Sequence, residues 1–566
     1  MVSTSDPSRL GTIASYDVFY TPKSTPSTEG PIGDQTIDQL RSEEISNLET
    51  HLETRARNAV GLFEGKLLID MMDKCPRLSV FVMVGFPFDN DQLIRQIGDR
   101  VARASANATS SSSSSSHKAS GLAGSVSIPS RPYYTGLKKL ELTNLYFCRV
   151  KAKPVEYLLN HCTPDLEELL LSVSFGSRTE AESDDTDVNA VPIPGTSNTK
   201  TTALTRTPPL YEDSGQEWKL RKLTIKGDLS GPGPLIWLPL LRRCSQLQEI
   251  CVDVFKYETM EQLATTLSRC CPKISEITLQ CITGGPQEDS RIADLIKASR
   301  SWKRLSMSFF HGFGPLSTTA LIKHSGTLET LVLDECDGIT SEDIQLVLTS
   351  CSNLKTFRAM TSNGMTFSST VYLDASDMVD SPWACQNLEN LKLVITGIAR
   401  PDLQENQYGE QFVGPLHDGT ITGYDLQKTV YEQLGKLTKL QELWLGHDKQ
   451  DLDDEENYHP TEVEGQWQFI DPDEQFECLE FSLKSGLDLL HGLNDLKVLN
   501  IDRMKTKIGL SEVQWMVKQW PKLERIIGLV IQGEKTPKHV QWLYDNRPDI
   551  ELPPVLGHFI TAFSAF

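Results

Sequence analysis

Cys270 and Cys271 are adjacent thiols in a chain of 566 residues that holds twelve cysteines. Paired thiols are suited to zinc or to redox exchange. A zinc site needs a second Cys or His pair at ligand spacing, and none accompanies this one. A second cluster, Asp451, Asp453, Asp454, Glu455 and Glu456, offers carboxylate oxygens to a cation. An EF-hand spreads its ligands over about twelve residues, with a central Gly and a terminal Glu. That pattern is missing here, and the run reads as a solvated acidic loop. The eleven histidines are dispersed. There is no G-x-x-x-x-G-K-[ST], no G-x-G-x-x-G after a strand, no H-E-x-x-H and no G-x-S-x-G. The expectation is a protein with no catalytic residues, no cofactor and no metal.

The cysteines have a different regularity. One stands three residues before a leading apolar residue at Cys75, Cys244, Cys271, Cys351 and Cys385, and Cys162 stands four before Leu166. Each leading residue opens an L-x-x-L-x-L run. The starts are Leu137, Leu166, Leu220, Leu247, Ile274, Trp302, Leu328, Leu354, Leu388, Leu440, Leu496 and Leu523, with a poorer copy at Leu78. With 39% hydrophobic residues, three apolar positions coincide at about one start in seventeen, so isolated matches carry little. The register carries more. From Leu220 to Leu354 the steps are 27, 27, 28, 26 and 26 residues. Gaps of 54, 52 and 56 residues follow Leu166, Leu388 and Leu440, each holding a degenerate repeat or an insertion.

Between the runs the pattern turns helical. SEDIQLVLTSC places Ser341 as N-cap, acids in the first turn, and Ile344, Val347 and Leu348 on one face. Met260, Leu263, Leu267 and Cys270 repeat that spacing. One strand–helix unit cannot bury its apolar edge, but a stack can. The fold class expected is α/β: a leucine-rich-repeat solenoid, or horseshoe, with parallel strands on the concave face and helices on the convex face. Cys before each strand is a small buried residue at the turn.

The repeats are expected over 76–552, with insertions at about 102–130, 174–216, 405–423 and 447–477. The first is serine-rich, the second and fourth acidic, the third rich in Gly and polar residues. Residues 1–35 read as a disordered N-terminus, 36–75 as a helical cap or degenerate adaptor-binding segment, and 553–566 as a tail. The N-terminus lacks a secretory pattern and no run reaches the ~20 apolar residues of a membrane helix. Scattered cysteines suit a reducing cytoplasm or nucleus. The formal charge of −21 argues against a broad nucleic-acid surface and favours a basic partner surface, and no membrane partner is expected.

In such a repeat the leucines point inward and the residues between them face the concave surface. The candidate protein-binding residues are Lys222, Lys226, Glu249, Arg304, Asp334, Arg358, Lys392 and Trp444, in a wider row that includes Lys139, Glu141, Thr224, Asp253, Glu276, Thr330, Glu442 and Asn500. Trp444, taken as exposed on a rigid surface, is the expected hot spot.

LETLVLDECDGITSEDIQLVLTSC resembles the cysteine-containing repeats of F-box proteins. SPWACQNLENLKLVITGIARPDL, VYEQLGKLTKLQELWLG, LEFSLKSGLDLLHGLNDLKVLNIDRM and GLSEVQWMVKQWPKLERIIG are together similar to a family of F-box/leucine-rich-repeat-like proteins of early-diverging filamentous fungi. The resemblance covers roughly 137–528. It implies a substrate receptor of a cullin-based ubiquitin ligase, with a Skp-type adaptor, a cullin and a protein target as partners, the chain a monomer within that hetero-complex. A Leu-Pro-x-Glu-type F-box opening is absent before Leu78. A stand-alone scaffold or inhibitor of the ribonuclease-inhibitor type, and a regulator of a small GTPase, are the alternatives.

Overall fold

The computed structural model describes residues 80–84, 92–99, 138–143, 149–150, 157–159, 165–172, 174–175, 217–226, 234–255, 259–281, 289–310, 312–336, 338–360, 371–379, 381–398, 400, 423–446, 461–463, 466–468, 478–502, 504–531 and 536–555. Thirteen strands form one parallel sheet in chain order. They are β1 (Val80–Val84), β2 (Lys139–Thr143), β3 (Glu168–Ser172), β4 (Lys222–Lys226), β5 (Glu249–Phe255), β6 (Glu276–Cys281) and β7 (Arg304–Ser308), then β8 (Thr330–Asp334), β9 (Thr356–Ala359), β10 (Asn390–Leu393), β11 (Glu442–Trp444), β12 (Val498–Asn500) and β13 (Arg525–Ile527). Each begins two residues after one of the apolar starts read from the sequence. The chain is an α/β leucine-rich-repeat solenoid.

The pairing keeps one register throughout. Lys139, Glu168, Lys222, Glu249, Glu276, Arg304, Thr330, Thr356, Asn390, Glu442, Val498 and Arg525 are successive partners. Leu169 therefore lies beside Leu223, and Leu443 beside Leu499. A one-residue slip would turn every leucine outward, which is why the apolar pattern holds the register. The leading residues Leu166, Leu220, Leu247, Ile274, Trp302, Leu328, Leu354, Leu388, Leu440, Leu496 and Leu523 are all buried in one continuous core.

Every strand from β3 on is entered in the same way. Two consecutive N–H groups donate to a single carbonyl of the previous repeat: Arg221 and Lys222 to Glu167 O, Lys355 and Thr356 to Glu329 O, Gln441 and Glu442 to Glu389 O. This ladder crosses the long gaps unchanged. β4 pairs directly with β3, β11 with β10 and β12 with β11, so among the described residues no further strand of this sheet lies inside them. Of the expected insertions, 102–130 lies outside the described residues. Within the others the described parts are 174–175, Gly423, and a short antiparallel pair, Thr461–Val463 with Gln466–Gln468. Residues 1–35 and 36–75 also lie outside.

Among the described residues, the helices after β4 are α1 (Pro234–Leu241), α2 (Met260–Cys270), α3 (Asp289–Ile296), α4 (Pro315–Ile322), α5 (Ser341–Ser350), α6 (Gly423–Gly435), α7 (Leu510–Gln519) and α8 (Lys538–Asn546). In α2, Met260, Leu263, Ala264 and Leu267 are buried, an i, i+3, i+4, i+7 stripe facing the sheet. Cys271 and Cys351 sit at the C-caps of α2 and α5, and both are buried with Cys244 and Cys385. In two units 3-10 turns take the helical place: Ala375–Met378, and Leu483–Ser485 with Leu487–Gly492. The last two are divided by Gly486, whose φ of +107° belongs to the left-handed region. Leu487 and Leu490 still bury their side chains.

The N-cap of α5 is Thr340 rather than Ser341. Thr340 and Asp343 form a reciprocal capping box, which leaves Ser341 as the first helical residue. Its hydroxyl accepts the Asp374 N–H at 2.7 Å and donates to the Asp377 carboxylate.

At the far edge β13 is closed by residues 551–555. Glu551 N–H donates to Glu524 O at 2.7 Å and Ile526 N–H donates to Glu551 O at 3.0 Å. Pro554–Val555 then pairs with Val530–Ile531.

Candidate protein-interaction face

Side chains between the buried leucines emerge on one face of the sheet and line up in rows across it, because the register is constant. Neighbouring positions in a row are one strand spacing apart, about 4.8 Å. The first row runs Lys139, Glu168, Lys222, Glu249, Glu276, Arg304. The second runs Glu141, Leu170, Thr224, Cys251, Thr278, Ser306, Val332, Arg358, Lys392, Trp444, Asn500.

The charged candidates largely satisfy one another. Lys222 Nζ lies 2.7 Å from Glu249 Oε1. Arg304 reaches Glu276 through Nε at 2.7 Å and Nη2 at 2.5 Å. Arg358 Nε donates to Asp334 Oδ1 at 2.8 Å. Lys392 Nζ stands 4.0 Å from Glu442. Lys226 is exposed. The eight candidates thus share a face but fall into separate groups along it. Exposed pairs of this kind contribute only about 0–1 kcal/mol each, so their role is to pattern the surface rather than hold the fold. The pairings carry a sequence signal that single-strand reading misses: opposite charges one repeat apart, as in Lys222 with Glu249 and Glu276 with Arg304.

Three expected surface positions are buried. Trp444 is 7% exposed and Asn500 is 2% exposed. Lys392 Nζ lies 3.4 Å from the Trp444 ring centroid, a cation–π contact that covers the ring. Asn500 is the in-register neighbour on the other side, and its Oδ1 accepts the Asp502 N–H at 2.8 Å. Trp444 is therefore not a standing exposed anchor. Thr224 is also buried. The side chain of Asp253 and the acidic run 451–456 lie outside the described residues.

Three other buried tryptophans have acceptors for their indole N–H: Trp302 on Ile296 O at 2.6 Å, Trp383 on Gln345 Oε1 at 2.9 Å and Trp520 on Leu490 O at 3.1 Å. The buried Nε1 of Trp444 has none among the described residues.

Several core thiols and one core imidazole are held neutral. Burial pushes the thiols of Cys271, Cys351 and Cys385 up to about 12, which removes the thiolate that metal binding or redox exchange needs. Burial lowers the pKa of His324. Its Nε2–H donates to Ile296 O at 3.1 Å while Nδ1 faces Trp302 N–H at 3.5 Å, so the neutral ring bridges two repeats. Among the described residues no group of three or more His, Cys, Asp or Glu is placed to hold a metal, and no helix is long and apolar enough to cross a membrane.

No family model matches the chain, and no curated protein matches it. Among solved structures, a chain of the crystal structure of the Rad7 and Elc1 complex in yeast is similar at 14% identity and a TM-score of 0.28, covering 59% of this chain and 81% of that one.

Proposed function

We propose that this chain is a non-catalytic protein-binding solenoid related to the substrate receptors of Skp–cullin-type ubiquitin ligases, with its target held on the strand face. The observation that carries the binding reading is the division of labour across the sheet. The leucines of the strands go into the core, while the opposite face presents mainly charged and polar side chains in register from β2 to β13, interrupted by Leu170, Val332 and Trp444. A face of this kind is a rigid, extended platform, and repeat proteins use such surfaces to bind other macromolecules. The ligase relation rests on the sequence resemblance of the repeats, strongest after residue 381. The thiols of the core have no chemistry to offer, which leaves the platform as the functional element. On this reading the chain works as a monomer within a hetero-complex in the cytoplasm or nucleus.

The test is affinity capture with the full-length chain beside an Arg304→Ala, Lys222→Ala variant. Loss of a specific partner from the variant, with adaptor and cullin recovered by both baits, supports a receptor with its target on the strand face. A specific partner without any Skp-type adaptor or cullin sinks the ligase relation and leaves a scaffold or inhibitor. Stimulated hydrolysis by a captured GTPase would turn the reading to a regulator. Capture indifferent to strand-face substitution would overturn the binding face itself.

A further inference from the structure

β1, with the sequence VFVMV, ends the sheet, and no described strand pairs with its outer side. Its register with β2 puts Val80 beside Lys139 and Val82 beside Glu141. The two valines thus head the rows of the strand face that carry charge on β2, and each is 47% exposed. Phe81, between them, is buried in the core. Sheets protect an edge with charge, proline, a bulge or a covering segment. The far edge has such cover, since residues 551–555 bond β13 and bring two prolines. β1 has no charged residue, no proline and no glycine, and its valines face solvent. The charges beside it on β2 serve each other and β3: Lys139 Nζ lies 3.3 Å from Glu141 and 3.7 Å from Glu168.

We propose that β1 is a strand-addition site, which takes an extended, uncharged segment of a protein partner as a further strand of the sheet. The N–H and C=O groups of an edge select an extended backbone, and Val80 and Val82 select apolar side chains at alternate positions of the segment. A proline in the segment would remove a ladder bond. The rows of the strand face run into β1 without a break in register, so a partner lying along that face meets the edge directly. The formal charge of −21 favours a partner over a second copy, because chains of like charge repel at long range. The site uses backbone groups and valines, not the charged residues of the strand face, and goes beyond the reading given for that face.

The experiment is amide hydrogen exchange of the full-length chain, read by mass spectrometry. The probe is a short peptide of alternating Val and Thr with a Lys at each end. A control peptide of the same charge has proline at its centre. Saturable protection of residues 80–84 is expected with the probe at up to about 1 mM, and none with the control. Val80→Lys, Val82→Glu gives β1 the face of β2 at unchanged net charge, and unchanged protection of β2 checks that the fold is kept. This variant is expected to weaken the probe at least about tenfold, through loss of the apolar contact. No protection at about 1 mM, equal protection by the control peptide, or equal affinity in the variant overturns the site. Protection of every β1 amide before any probe is added means that the edge is already occupied. If that protection grows with chain concentration the occupant is a second copy, and if it holds at every dilution the occupant is the chain itself; either overturns a partner segment. Arg304→Ala, Lys222→Ala, three or more strands away, is expected to bind the probe as wild type does, so this inference and the strand-face reading fail separately.

Discussion

Asp289 opens α3, but its carboxylate serves the next helix. Oδ1 accepts from Gly314 N–H at 3.1 Å and Ser317 N–H at 2.7 Å, and Oδ2 accepts from Leu316 N–H at 2.6 Å. Pro315 has no N–H, and Thr318 N–H already bonds Gly314 O. One side chain 25 residues upstream thus satisfies every donor that the start of α4 leaves open. Gly314 itself has no side chain to cap with, and a Cβ there would stand 2.9 Å from Asp289 Oδ2. The close approach and the missing side chain belong together. Losing a cap costs about 0.5–2 kcal/mol, and losing the anion from the helix N-terminus adds about 0.3–1 kcal/mol. Asp289→Ala is expected to cost about 2 kcal/mol, and Asp289→Asn about 1, since one oxygen can still accept. The assays are urea denaturation and native-state amide exchange. About 2 kcal/mol corresponds to a roughly thirtyfold faster exchange at Leu316 and Ser317. A cost of Asp289→Ala below about 0.5 kcal/mol, within the range of ordinary surface substitutions, would refute the capping role. An Asn variant as damaging as Ala would refute the contribution of the retained acceptor.

Three further outcomes are expected. Gly528 has φ +98° and a Cβ there would lie 2.6 Å from the backbone N of Asp502, whereas Gly326 has nothing within 4 Å; Gly528→Ala should cost about 2 kcal/mol or more in denaturation, and Gly326→Ala should stay within about 0.5. His324 is neutral when folded, with its pKa below the ordinary 6.5, so the unfolded chain binds the proton first and stability should fall as pH drops through 6.5 towards the folded value. His539 gives a slope of the same sign, so melting of His324→Gln across that range, compared with wild type, isolates the bridge; an unchanged slope would refute it. Cys271, Cys351 and Cys385, held at about 12, should resist iodoacetamide at pH 8 in the native state while half-buried Cys270 reacts, read by mass spectrometry of the digested chain.

The strand positions were legible because two periodicities agree: the apolar triplet within a strand and the recurrence of its first residue. The structure places a strand at each of the thirteen starts, even the poor copy at Leu78. What lay beyond reach depends on partners distant in sequence. The cover on Trp444 is Lys392, and its other neighbour is Asn500, each about fifty residues away and across a long gap. Nothing local to Leu443, Trp444 and Leu445 says that the ring is roofed. The long gaps were ambiguous for a similar reason, since apolar residues such as Leu487 and Leu490 pack like helix residues but sit in 3-10 turns. The N-cap of α5 was misplaced by one residue because Thr340 and Ser341 are chemically equivalent as caps. The box with Asp343 decides between them, and it is visible as T-x-x-D once that spacing is sought.

The closure of β13 bears on how the molecule behaves in a crowd of its own copies. A parallel sheet that ends on an open strand offers carbonyls and N–H groups to the next chain, and stacked repeats would then accrete into filaments. Here the last bonds of β13 are spent on Glu551, and the segment continues as Leu552, Pro553 and Pro554. Two prolines without N–H groups make a poor template for another strand. Residues 551–555 thus blunt this edge of the sheet, and removing them would leave the outer backbone groups of β13 open to another strand.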